Sequence, residues 1–227
     1  MLLLALDTTA HLGGIALARN GEVLQAVTIH APGGHGSVIY QNINALLDIY
    51  NVKLQDIDCY AGASGPGSFT GIRVGLSVAK ALAEVHGKPV VPVSNLAALA
   101  FAGAGRYRAP VLDARRGEIY SAVYDDQARA VVDEVVSPWE KFLRLIGDRE
   151  ITFVSMDEKL FEAEGAAPLP PASNGLRRTV MVTTPLVAAV AELAALSYAS
   201  GAGLPPEAVD ANYVRRPEAE LKWKEPV

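Results

Sequence analysis

Three stretches of the 227-residue sequence carry residue types that can do chemistry. The first is Gly65-Pro66-Gly67-Ser68-Phe69-Thr70-Gly71, which lies between a small, apolar run (Cys59–Ser64) and a helical pattern. A helix N-terminus presents free N–H groups and a partial positive charge, so this loop can hold an anion. The alternative is a structural turn. The stretch is neither a Walker A loop, because no Gly-Lys-Ser/Thr follows, nor G-x-G-x-x-G. The other two stretches are Asp7-Thr8-Thr9 and Asp113-Ala114-Arg115-Arg116, each opening with an aspartate that closes an apolar run. Two carboxylates facing a cleft between similar halves can hold Mg²⁺ and a nucleotide. Alternatively, each aspartate accepts from local backbone N–H groups, and Arg115 and Arg116 are ready partners for Asp113. Asp7, Thr8, Thr9, Gly65, Gly67 and Ser68 are therefore the candidate anion or nucleotide contacts.

Hydrolytic and metal chemistry fare poorly. Ser64 and Ser68 sit where a nucleophile elbow would lie, yet Gly62-Ala63-Ser64-Gly65-Pro66 misses the last glycine of G-x-S-x-G. The only later histidine, His86, is on the helix that follows, and a triad needs its base brought in from elsewhere. His11, His30, His35 and His86 offer no i, i+4 pair, so no metal site is expected. Cys59 is the sole cysteine and lies in an apolar run, which reads as an inert core thiol. It fits a reducing compartment and excludes a disulfide within the chain. No catalytic residue is assigned.

These stretches must be held by an alternation of strands and helices. Leu2–Asp7, Ile15–Ala18 and Glu22–Ile29 read as strands, with a two-residue hairpin at Asn20-Gly21. A helix over 37–50, capped by Ser37, has Ile39 and Ile43 on its apolar side. Then come a strand at 59–64, a helix over 70–86 capped by Ser68 or Thr70, a strand at 88–93, and a helix over Leu96–Ala102 capped by Ser94. The second half restarts with strands ending near Asp113, over Glu118–Tyr124 and over Ala130–Val136. A helix over Trp139–Ile146 capped by Ser137, a strand at Ile151–Ser155, a loop over 162–178 and a helix over Pro185–Ala199 follow. This order predicts an α/β layered fold with a divergent internal duplication: 1–104 as the first half, 105–227 as the second half with a tail.

Helix 70–86 carries Gly71, Gly75, Ala79 and Ala83 at every fourth residue. A glycine in a helix interior costs roughly 0.5–1 kcal/mol relative to alanine, so the bare ridge implies close approach of another backbone. Either the helix packs on its own sheet, or it meets a helix of another subunit. Ile72, Leu76 and Leu82 add apolar contact. The ridge, these three residues, and Ile39 and Ile43 form the predicted partner interface.

Half the residues are hydrophobic and a fifth are charged, enough to build a core. The formal net charge of −5 and pI near 5.4 disfavour direct gripping of nucleic acid, which needs a basic footprint. The apolar N-terminus is short, is interrupted by Asp7 and lacks a basic flank, so it does not read as a secretory signal. No run reaches membrane-spanning length, and the cytoplasm is expected.

Leu4-Ala5-Leu6-Asp7-Thr8-Thr9, the stretch Gly65–Arg73, and Asp113-Ala114-Arg115-Arg116-Gly117-Glu118-Ile119-Tyr120 together resemble the TsaB (YeaZ) family. Val93–Ala100 is similar to the segment that follows in that family, and Tyr213-Val214-Arg215-Arg216 to its C-terminal Tyr-Leu-Arg signature. The resemblance implies an actin/Hsp70/sugar-kinase-like fold of two RNase-H-like halves. It implies a subunit of the machinery that makes N6-threonylcarbamoyladenosine at position 37 of tRNAs. In that machinery TsaD transfers the threonylcarbamoyl group from an adenylate made by TsaC, and the ATPase TsaE joins the complex. The implied role is a non-catalytic scaffold for a TsaD-like transferase through helices 37–50 and 70–86, able to form a homodimer in isolation and meeting tRNA only through the complex. No cofactor of its own is implied; ATP or ADP with Mg²⁺ would lie at a subunit boundary. The sequence lacks the His-x-x-x-His metal pair of the catalytic relative, and no Gly-Gly adenosine loop stands out. The competing expectation is a stand-alone nucleotide-dependent enzyme or glycoprotease-like hydrolase.

Overall fold

The computed structural model describes residues 1–162, 177–182 and 185–215. β1 (Leu2–Asp7), β2 (Leu12–Arg19) and β3 (Glu22–His30) form an antiparallel meander. At the β2–β3 turn Asn20 and Gly21 both have positive φ, 53° and 90°, as the expected hairpin requires. α1 (Ile39–Ile49), β4 (Cys59–Gly65), α2 (Phe69–His86), β5 (Val90–Ser94) and α3 (Asn95–Ala102) follow. β4 pairs with β1 and β5 with β4, both in parallel, giving the order β3-β2-β1-β4-β5.

The second half repeats the plan. β6 (Tyr107–Arg115), β7 (Glu118–Asp125) and β8 (Ala130–Pro138) are antiparallel neighbours. α4 (Trp139–Ile146), β9 (Ile151–Ser155), the four-residue α5 (Lys159–Glu162) and β10 (Arg177–Met181) follow, with β9 and β10 added in parallel. The order β8-β7-β6-β9-β10 has the topology of the first sheet, strand for strand. The internal duplication expected from element order is therefore present in the pairing itself.

Period-two alternation explains how the first sheet is covered. Leu2, Leu4, Leu6, Ile15, Leu17 and Tyr60 face one way and share a core with α1 and α2. Leu3, Ala5, Ala16, Ala18, Cys59 and Ala61 face the other way. That face is mostly alanine, so a helix can approach it closely. The occupant is α6 (Leu186–Ala199), an Ala/Val/Leu helix buried on most sides, whose Val187 and Val190 lie in the same core. A helix late in the chain thus covers the sheet built by its first hundred residues. The wedge between the sheets is α3, with Leu99 in the core of the first half and Leu96 and Ala100 against Ala122 and Tyr124 of β7.

Ser94 caps α3 as expected, accepting from the Leu96 and Ala97 N–H groups, and Ser68 caps α2 by accepting from Gly71 N–H. Two expected caps are corrected. α1 begins at Ile39 after a tight turn over His35–Ser37, and the Ser37 hydroxyl donates back to the Gly34 carbonyl. Ser137 remains in β8, and Pro138 occupies the N-cap of α4 without a side-chain bond. Most of the predicted 162–178 loop and the tail beyond Arg215, with Arg216 and Trp223, lie outside the described residues.

Candidate functional site

The end of β1 meets the start of α2 in a closed polar knot. Asp7 Oδ1 accepts from the Thr9 N–H (2.9 Å) and the Thr9 hydroxyl (2.6 Å). Asn95 Nδ2 donates to Thr9 Oγ1 at 2.5 Å, and Asn95 Oδ1 accepts from Gly65 N–H at 3.1 Å. Ser68 N–H donates to the Thr9 carbonyl at 2.8 Å, and the Thr8 hydroxyl to the Gly71 carbonyl at 2.6 Å. Asp7, Thr8, Thr9 and Asn95 are all buried. Burial raises the Asp7 carboxyl above its ordinary range, against the lowering effect of the Thr9 bonds. His35 is buried too, and its Nε2 accepts from Gly13 N–H at 3.1 Å, which puts the ring proton on Nδ1.

This geometry brings Asp7, Thr8, Thr9, Gly65 and Ser68 together and engages them with one another. The Gly65, Ser68 and Gly71 amides have internal acceptors. Gly67 is a close-approach position, where a Cβ would lie 2.9 Å from the Thr9 carbonyl oxygen.

The cleft between the halves is bridged by Glu134 of β8. Its carboxylate accepts from the Ser94 hydroxyl of the first half, from Tyr124 OH at 2.7 Å, and from Asn212 Nδ2 at 2.6 Å. Asn212 in turn donates its N–H to the Ser64 carbonyl at 2.8 Å. Burial, then the Glu134 charge, pushes the Tyr124 phenol up, so it stays a donor. The Glu134 carboxylate is engaged by three side chains, and Asp7 turns its Oδ1 to Thr9. Among the described residues no cluster of three or more His, Cys, Asp or Glu side chains can hold a metal. Asp113 is exposed; its carboxylate accepts from Arg115 N–H and pairs with the Arg115 guanidinium at 3.0 Å. Burial pushes the Cys59 thiol up to about 12, consistent with an inert core position.

The predicted interface is corrected. Ile39, Ile43, Ile72, Gly75, Leu76, Ala79, Leu82 and Ala83 are buried within the chain, at no more than 8% exposure where measured as side-chain core. The ridge seats against the turn after β1 and against β4: a Cβ on Gly75 would lie 2.6 Å from Thr8 Oγ1, one on Gly71 would overlap the Thr8 carbonyl, and Ala79 lies over Gly62. The period-four signal located a close contact and left its side of the helix open.

The opposite faces of these helices are exposed. On α1 they carry Tyr40 (50%) and Ile49 (66%), with Asn44 and Ala45 between. On α2 the outward row is Phe69, Arg73, Ser77, Ala81 and Val85, with Val85 77% exposed. The tail anchors one end of this row. The Arg73 guanidinium lies 3.8 Å over the Phe69 ring and donates from Nε to Tyr213 OH, and Phe69 packs on Tyr213 at 5.3 Å. Lys80 Nζ reaches the Val209 carbonyl, and Arg215 pairs with Glu118 of the second half. Sequence reasoning missed Asn95 and Glu134, whose partners are remote in the chain.

A family model described as TsaD, tRNA N6-adenosine threonylcarbamoyltransferase, matches residues 29–220. The Bacillus subtilis tRNA threonylcarbamoyladenosine biosynthesis protein TsaB is 30% identical, with 99% of each chain covered. The solved YeaZ from Pseudomonas aeruginosa superposes with a TM-score of 0.75 at 26% identity, covering 93% of this chain and 99% of that one. An activator of 2-hydroxyisocaproyl-CoA dehydratase from Clostridium difficile, with bound ADPNP, shares the fold alone, at a TM-score of 0.51 and 9% identity over both full chains. The architecture is thus the actin/Hsp70/sugar-kinase-like fold expected from the sequence.

Proposed function

Because the chain belongs to the TsaB (YeaZ) family, within the wider family of the threonylcarbamoyltransferase model, we propose that it serves tRNA threonylcarbamoyladenosine biosynthesis as a non-catalytic subunit. It docks on a TsaD-like transferase, and a TsaE-like ATPase joins the assembly. The docking surface is the outward face of α1 and α2. One observation carries this reading: the inward faces of both helices are engaged with their own sheet, while Tyr40, Ile49, Phe69 and Val85 stay exposed. Large apolar side chains left exposed on helices whose inward sides are engaged supply contact area for a partner. The closed knot at Asp7 and the Glu134 bridge support a role without turnover of its own. Bound ATP or ADP with Mg²⁺ belongs at a subunit boundary, tRNA contact comes through the complex, and the cytoplasm is the working compartment. Among the described residues no helix is long and apolar enough to cross a membrane.

Reconstitution tests this reading. Threonylcarbamoyladenosine should form on tRNA when this chain is added to the transferase, the adenylate-forming enzyme and the ATPase, and should fall sharply without it. The chain alone should not turn over ATP or peptides. Steady turnover by the purified chain, or full modification in its absence, would overturn the proposal.

A further inference from the structure

Residues 209–215 run from the core of the first half to the second half and touch the outward row of α2 on the way. Val209 is buried in the core beneath α1 and α2, with Ala211 packed against it. The Val209 carbonyl accepts from Lys80 Nζ of α2 at 2.7 Å, and Asn212 N–H donates to the Ser64 carbonyl of β4 at 2.8 Å. A Cβ on Gly65 would lie 2.8 Å from the Asn212 carbonyl oxygen, so the two backbones meet closely. As far as Asn212 this stretch is fixed to the first half.

Its side chains then part. Asn212 Nδ2 reaches Glu134 of β8 at 2.6 Å, and Arg215 reaches Glu118 at the start of β7 and lies 6.0 Å from the centre of the Tyr120 ring. Tyr213, between them, turns to α2: its ring packs on Phe69, and its OH accepts from Arg73 Nε at 3.0 Å. The seam it crosses changes chemistry along β7. At Ala122 and Tyr124 the apolar side chains of α3 make the contact. At Tyr120 and Glu118 the tail makes it. In the polar part of the seam the first half and the tail supply donors, from Ser94, Asn212 and Arg215, and the second half supplies the Glu134 and Glu118 carboxylates. Charge-assisted bonds are strong when dry, but water competes for them at partly exposed positions. The Arg215 and Glu118 side chains are 25% and 33% exposed. This part of the seam can therefore release while the apolar joint at α3 stays packed.

We propose that residues 209–215 are a clasp between the halves, coupled to the outward face of α2. Asn212 and Arg215 close the seam, and Tyr213 makes its closure depend on the Phe69–Arg73 group. Coupling is reciprocal, so a macromolecule seated on that group stabilises the closed seam, and opening the seam weakens its binding. The clasp is a property of the free chain; only the identity of the seated macromolecule, a TsaD-like transferase, rests on the reading above.

Hydrogen exchange of the full chain, followed by NMR, tests both ends of the clasp. Asn212→Ala/Arg215→Ala removes two bonds of the seam and leaves Tyr213 in place. It should speed exchange at Arg73 Nε–H, beyond the other end, roughly fivefold or more. Tyr213→Ala should speed exchange of the Asn212 amide and of the amides flanking Glu134 by a similar factor. Amides inside β1 and β4 should keep their protection, which shows an intact core. Should the double variant fail to fold, Arg215→Ala carries the same comparison. A merely structural tail would confine each effect to the substituted end, and that result would overturn the clasp. The transferase should bind the double variant roughly threefold or more weakly, although neither side chain lies on the outward row. Equal affinity would overturn the coupling to the partner. A parent chain without affinity for the transferase would instead overturn the proposed partner, and the exchange comparison would still decide the clasp.

Discussion

Asp7 and Asp113 close the first strands of two sheets with one topology, yet they do different work. Asp7 is buried, bonded to Thr9, and tied through Asn95 to Gly65 at the end of β4. Asp113 is exposed and tied to Arg115, two residues on. The residues that follow explain the contrast. Thr8 and Thr9 have short hydroxyl side chains that fit inside, whereas Arg115 and Arg116 must reach water. The first half carries the eighteen-residue α2 after β4. The first half also gains α6 from the end of the chain. A duplicated plan has been kept as scaffold on one side and elaborated on the other, with helix α2 as its centrepiece.

The largest effect should come from breaking the seat of α2. Gly75→Leu drives a side chain into Thr8 and should cost about 3 kcal/mol or more in urea unfolding. A variant as stable as the parent would move the ridge back to the surface. A smaller effect should come from the joint between the halves. Arg108 is 7% exposed and donates to the Ala100 (3.0 Å), Gly103 (3.3 Å) and Asp125 (3.0 Å) carbonyls. Arg108→Met keeps much of the volume and strands these acceptors, so a loss of roughly 2–3 kcal/mol is expected. If thermal melts show no loss, the clamp contributes nothing.

The aspartates sharpen the comparison most finely. Burial raises the folded-state pKa of Asp7 above its unfolded value. Between those two values only the native state holds the proton, so stability falls as pH rises through the window. Asp7→Asn keeps an oxygen to accept from Thr9 and removes the charge. It should raise stability at neutral pH, and the gain should vanish below about pH 4. Asp113→Asn, on the surface, should change stability at neutral pH by less than about 0.5 kcal/mol. Equal gains from the two substitutions at neutral pH would erase the distinction between the halves.

The strands were legible because alternation is a local property, and β1, β4 and β9 fall almost where the residues placed them. The caps at Ser68 and Ser94 were legible for the same reason. Ser37 and Ser137 misled because an adjoining turn and Pro138 set the helix starts. The phase of Gly71, Gly75, Ala79 and Ala83 was undetermined because small residues mark closeness without naming the neighbour; Thr8, far back in the chain, is that neighbour. Glu134, Asn95 and α6 depend on contacts across 40 or more residues for their bonds to Ser94, Thr9 and the first sheet. No window of sequence contains such pairs.

The account is tested most directly by the affinity of the TsaD-like transferase for this chain and for its Val85→Arg variant. Val85 is 77% exposed near the end of α2, so the substitution leaves the fold intact while placing a charge on the proposed contact face. Calorimetry should show binding weakened roughly a hundredfold. Unchanged affinity for the folded variant would contradict the assignment of the outward α1–α2 face to the partner.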